Sequence, residues 1–136
     1  MQVSLDKELH RYAIHAYDDN SITLVLPPHL ASEPGQRQLR IEYSLILTRD
    51  EHKQWQAAGF DELKAEDLLV VVDYQPEVVL LGCGAMMRFP APEILAPLHR
   101  QGIGVELMNT PAACRTFNIL CAEGRDVVAL MLPPNA

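Results

Sequence analysis

Basic residues are scarce in this chain: 11 lysines and arginines stand against 18 aspartates and glutamates, a formal net charge of −7 at pH 7. Binding to nucleic acid or to an anionic bilayer draws on a basic surface, so neither partner class is expected. Aromatic residues are few as well, 6% of the chain, and Trp55, Phe60 and the tyrosines are spread too thinly for a base-stacking platform. Long apolar runs are missing. Apolar runs such as Leu68 to Val72 and Val78 to Leu81 fall far short of the roughly 20 residues that cross a bilayer. The segment Met1 to Arg11, with Asp6, Lys7, Glu8 and Arg11, lacks the apolar core of a signal peptide, so a cytoplasmic chain is expected. Cys83, Cys114 and Cys121 form no CxxC, and His10, His15, His29, His52 and His99 form no HxxxH. Free thiols are expected, and no metal or other cofactor.

What is present is globular composition: 136 residues, 49% hydrophobic and 21% charged. That length suits a single domain, residues 1–136, with a core that needs no disulfide. The front third reads as β-rich. Ser21 to Leu26 is a β-branched apolar run stopped by Pro27 and Pro28, and Leu39 to Leu47 alternates as a second strand or hairpin. Ala31 to Gln36, with Glu33, Pro34 and Gly35, reads as a loop. Asp50 to Ala57 carries helix formers around Trp55 and ends at Gly59, which predicts a short helix. In Leu63 to Tyr74 the acidic first half predicts a helix, whereas Val70 to Val72 favour a strand. From Pro76 the pattern is β, α, β, α, β. Val78 to Leu81 is the first strand, Pro92 to Arg100 a helix, Ile103 to Met108 a strand, Thr110 to about Ala122 a helix and Asp126 to Leu132 the last strand. Such spacing predicts helices packed on a sheet, with parallel pairs joined by right-handed crossovers.

Two motifs carry candidate chemistry. Gly82-Cys83-Gly84 places GxG where a strand hands over to a helix, the place where dinucleotide folds bind pyrophosphate. The third glycine of GxGxxG would fall at Met87, however, and Glu106 lies inside the next strand instead of at its end. A tight structural turn is the favoured reading, with its backbone amides open to a different ligand. In the second motif, Met108 to Asn118, Thr110 is the expected N-cap. Cys114 then lies in the opening turns of a helix, where the macrodipole and Arg115 both favour thiolate and make it a candidate nucleophile. No histidine adjoins it as a base, and the spacing is not the CxxxxxR of a phosphatase loop. The plainer reading makes Ala113, Cys114, Phe117, Leu120 and Cys121 a buried stripe at helical spacing. Arg115, Thr116 and Asn118 adjoin that stripe, where they would line a pocket or fasten the helix to its neighbour. Arg125 is a further candidate for a carboxylate or phosphate, with a surface ion pair as the alternative.

Pro76 to Gly84, Gly102 to Thr110, Ala112 to Leu120 and Glu123 to Ala129 together, with Tyr43 to Leu47 as a looser match, resemble a known family. It is the domain-of-unknown-function family that includes the mitochondrial NADH dehydrogenase (complex I) assembly factor 3 and an adipogenesis-associated cytosolic protein. The resemblance implies a compact three-layer α/β fold with a mixed sheet flanked by helices. It marks Gly82, Gly84, Met108, Thr110, Ala113, Cys114, Arg115, Asn118 and Arg125 as matches to the family's motif positions. The chain departs at Cys83, where Thr is common, and at Asn109, where Asp is common, which removes a carboxylate from the turn. No catalytic activity comes with the family.

Two readings follow. The leading one is a non-enzymatic accessory protein that acts through protein contacts, in the assembly or biogenesis of a membrane complex. It implies a protein partner, no nucleic acid, and room for peripheral association with the complex or for self-association. The alternative is a small anionic-ligand-binding protein or enzyme. Its pocket would lie between the Gly82–Gly84 turn and the Thr110–Asn118 helix start, with Arg115 or Arg125 on the anion and Cys114 as nucleophile.

Overall fold

A computed structural model describes residues 10–31 and 36–136. Strands β1 (Ala13–Tyr17), β2 (Ile22–Val25) and β3 (Gln38–Ile41) form an antiparallel three-stranded sheet in that order. A five-stranded sheet combines β4 (Leu45–Leu47), β5 (His52–Gln54), β6 (Val78–Gly82), β7 (Gly104–Met108) and β8 (Val127–Met131) in the order β5-β4-β8-β6-β7. It is mixed: β6 runs parallel to β7 and β8, whereas β4 runs antiparallel to β5 and β8. Helices α1 (Ala65–Leu69), α2 (Pro92–Arg100) and α3 (Thr110–Ala122) pack on this sheet.

The central strands are continuous apolar runs because both of their faces are covered. Val78 and Leu80 of β6, with Val127, Ala129 and Met131 of β8, point into one core with the three-stranded sheet and α3. Val79, Leu81, Val128 and Leu130 point into a second core with Trp55, Leu68, Val71 and Leu98. Three layers result, as expected: the small sheet with α3, the five-stranded sheet, and the layer of α1 and α2. The β-α-β-α-β order of the second half is observed with nearly the predicted limits.

The front half needs corrections. The helix expected over Asp50 to Ala57 is instead the hairpin strand β5. Thr48 sets its turn, its backbone N–H donating to Glu51 O at 2.9 Å and its Oγ1 accepting from the amides of Asp50 and Glu51 at 3.1 and 3.0 Å. Trp55 is an anchor all the same, buried with its indole N–H donating to Asp67 O at 2.9 Å. Leu39 to Leu47 does not fold into a hairpin. It breaks at Glu42–Ser44, so that β3 and β4 belong to different sheets. The helix in the first half of Leu63 to Tyr74 is α1, but Val70 to Val72 form no strand, and a 3-10 turn at Val72–Tyr74 follows. Most of the loop expected at Ala31 to Gln36 lies outside the described residues.

Candidate functional site

The β6, β7 and β8 strands end together, and Gly82, Gly84, Met108 and Thr110 meet there. Thr110 is not the N-cap. That role falls to Asn109, whose side-chain oxygen accepts from Ala112 N at 2.8 Å. Asparagine caps as well as aspartate does, so a neutral side chain serves this turn. Thr110 is instead wholly buried. Its Oγ1 accepts from Gly84 N at 2.9 Å and donates to Leu132 O at 2.8 Å, while its own amide donates to Gly84 O at 2.8 Å.

The amides of the GxG turn are therefore occupied. Cys83 N donates to Met108 O at 2.8 Å, Gly84 N to Thr110, and Ala85 N to Ala136 O at 3.1 Å. Both glycines are sterically required. A Cβ on Gly82 would stand 2.9 Å from Thr110 Oγ1, and one on Gly84 would run into the Ala136 carbonyl from a backbone at φ +95°. The turn and the helix start come together as the second reading expected, but the space between them holds the Thr110 side chain and the segment after Leu132. The connection to α2 is also longer than a tight turn, running from Cys83 to Ala91.

Cys114, Arg115 and Asn118 lie further along α3, against the edge strand β1. Cys114 is buried beside Met131, and burial pushes its thiol up to about 12 against the opposing pull of Arg115. Burial likewise raises Cys121 to about 11 and raises Cys83, and all three thiols are free. Asn118 fastens the helix to β1 with two hydrogen bonds, accepting from Ile14 N at 2.9 Å and donating to Ile14 O at 2.8 Å. Arg115 is exposed and donates to the Tyr17 hydroxyl at 2.9 Å. With His15 and Tyr17 these residues line a hollow of about 130 Å3. Arg125 stands apart from both groups. It precedes β8, as its salt-bridge partner Glu77 at 3.6 Å precedes β6, at the opposite end of the parallel strands from Gly82. Among the described residues, no group of three or more His, Cys, Asp or Glu is placed to hold a metal ion.

A different surface was not foreseen. Between Gly84 and α2 the chain exposes Met86, Met87 and Phe89, with relative accessibilities of 72%, 46% and 75%. Arg88 between them is fixed at both sides, donating to Asp61 Oδ1 at 2.6 Å and lying 4.2 Å from the centre of the Phe60 ring. The apolar side chains are thus held out by a tethered loop. Phe89 continues into an open trough of about 740 Å3 along α2. A signal existed in the sequence: an apolar stretch with neither helical nor strand periodicity, closed by Pro90 and Pro92.

Fold and surface together define a three-layer mixed α/β protein whose motif residues largely serve packing and whose apolar loop faces solvent. The chain belongs to the family described as protein of unknown function (DUF498/DUF598), whose pattern matches residues 14–132. It is 35% identical over 83 residues to NADH dehydrogenase (ubiquinone) 1 alpha subcomplex assembly factor 3 of Bos taurus, across 60% of this chain and 45% of that protein. The Danio rerio protein of the same name is 38% identical over 85 residues, across 61% of this chain and 49% of its own length. The chain thus matches about half the length of these relatives. A crystal structure of a Bordetella parapertussis protein superposes with a TM-score of 0.76 at 32% identity, covering 90% of this chain and 96% of that one. The expected family and fold class are therefore both observed. Among the described residues no helix is long and apolar enough to cross a membrane.

Proposed function

We propose that this protein is a non-enzymatic accessory factor of the cytoplasm that works through protein contacts in the assembly of a membrane complex. The observation that carries the reading is the exposed loop with Met86, Met87 and Phe89. Such side chains lose water favourably only when another surface covers them, and methionine adapts its shape to a partner. The relatives named as assembly factors support the same direction. Covalent catalysis has less support, since Cys114 is buried with its thiol held protonated and, among the described residues, no histidine is hydrogen-bonded to it.

Deletion of the gene in its host, with membrane complexes resolved on native gels, tests this. A respiratory complex should lose abundance, return with the wild-type gene, and fail to return with Met86→Ser/Phe89→Ser. Normal levels of every complex in the deletion strain would remove the proposal.

A further inference from the structure

Helix α2 has a second face that the core uses only through Leu95. Leu98 is buried and Ile94 packs against the same core. The stripe Pro92, Leu95, Ala96, His99 and Arg100, spaced i, i+3, i+4, i+7, i+8, lines the trough with Phe89, and Leu95 at its middle packs against that core as well. The floor is apolar, Arg100 lies at one end of it, and an acidic residue stands beside the other end, outside the lining. Glu93 stands exposed in the first turn of α2, and His99 and Arg100 stand exposed in the last. These ends are about 10 Å apart at the rise of an α-helix.

We propose that the trough seats an amphipathic helix of a partner protein, antiparallel to α2, with carboxylates in its first turn over His99 and Arg100 and a basic residue in its last turn near Glu93. This rests on the accessory reading above and specifies the partner's chemistry. Three observations converge on it. The stripe has helical period, so a facing helix interdigitates with it. The charge polarity along α2, from Glu93 beside the trough to Arg100 lining it, fixes the direction, and a helix with acidic first and basic last turns is itself favoured by its macrodipole. A flat bilayer fits less well, because the surface is concave, the chain carries −7 overall and Arg88 is already paired with Asp61.

The test uses two synthetic amphipathic helical peptides with leucines at i, i+3 and i+7. One has glutamates in its first turn and lysines in its last, and its twin has these charges exchanged. Binding is followed by fluorescence anisotropy and by amide shifts of Leu95 and Ala96. The first peptide should bind about tenfold more tightly than its twin. His99→Glu/Arg100→Glu, at exposed positions, should reverse that order, and Phe89→Ser should weaken both. Equal binding of the twins, binding by neither, or an order unchanged by the double variant would overturn the proposal. So would a dimer of the chain that Phe89→Ser dissolves, or saturable binding to phosphatidylcholine vesicles through the same residues. If the charge order fails while Phe89→Ser still abolishes complementation in the host, the partner's chemistry is wrong and the accessory role stands. If Phe89→Ser complements fully, the accessory reading itself has failed.

Discussion

Thr110 joins three segments through one hydroxyl: the turn after β6, the first turn of α3 and the chain after β8. Valine keeps its shape but leaves Gly84 N–H and Leu132 O buried without that partner. Thr110→Val should therefore cost about 2–3 kcal/mol in urea unfolding, against about 1 kcal/mol for Thr110→Ser, which retains the hydroxyl. The cysteines give a second prediction. Their thiols sit above the ordinary 9.0 in the folded chain, Cys114 at about 12 and Cys121 at about 11, because burial penalises the thiolate. The folded state then holds more protons than the unfolded state between pH 9 and about 12. Stability is lost across that window as pH rises, and these groups contribute no slope at neutral pH. Cys114 should resist alkylation in folded protein at pH 8 and react once denatured. Local patterns foretold that burial, since Ala113, Cys114, Phe117 and Cys121 share a helical stripe. They did not foretell Thr110's role, because its partners Gly84 and Leu132 are distant in sequence and a Thr before Pro reads as a cap.

Helix α3 and strand β1 are linked by Asn118, whose amide supplies both a donor and an acceptor to Ile14. The link also covers part of an edge strand that would otherwise offer free backbone groups to another chain. Asn118→Ala should cost about 1–3 kcal/mol, with the largest loss of amide-exchange protection at Ile14 and little change in β8. Of the elements, the second half was legible because its apolar runs alternate with proline-opened and glycine-closed helices. The front half was less so. His52 to Gln54 hold no strand signature, and their conformation follows from pairing with β4, itself placed by β8. The break between Ile41 and Leu45 likewise reflects a change of sheet that alternation does not record.

On the scale of the molecule, one sheet separates two cores, and among the exposed large apolar side chains Met86, Met87 and Phe89 lie together in the loop before α2. Two exposed sites provide a comparison: Phe89 in that loop and Ile119 on α3, the latter 57% accessible. Phe89→Ser should leave unfolding free energy within about 0.5 kcal/mol of the parent, since its ring is largely in water already. Binding and folding then separate cleanly in that variant. The central claim is that this loop is where the protein meets its partner. Its most direct test places a photo-crosslinking amino acid at position 89 or at position 119 and irradiates living host cells. The account predicts a discrete adduct with one protein from position 89, lost when Met86→Ser/Met87→Ser is added, and none from position 119. Equal adducts from both positions, or none from position 89 in protein that is folded and expressed, would contradict it.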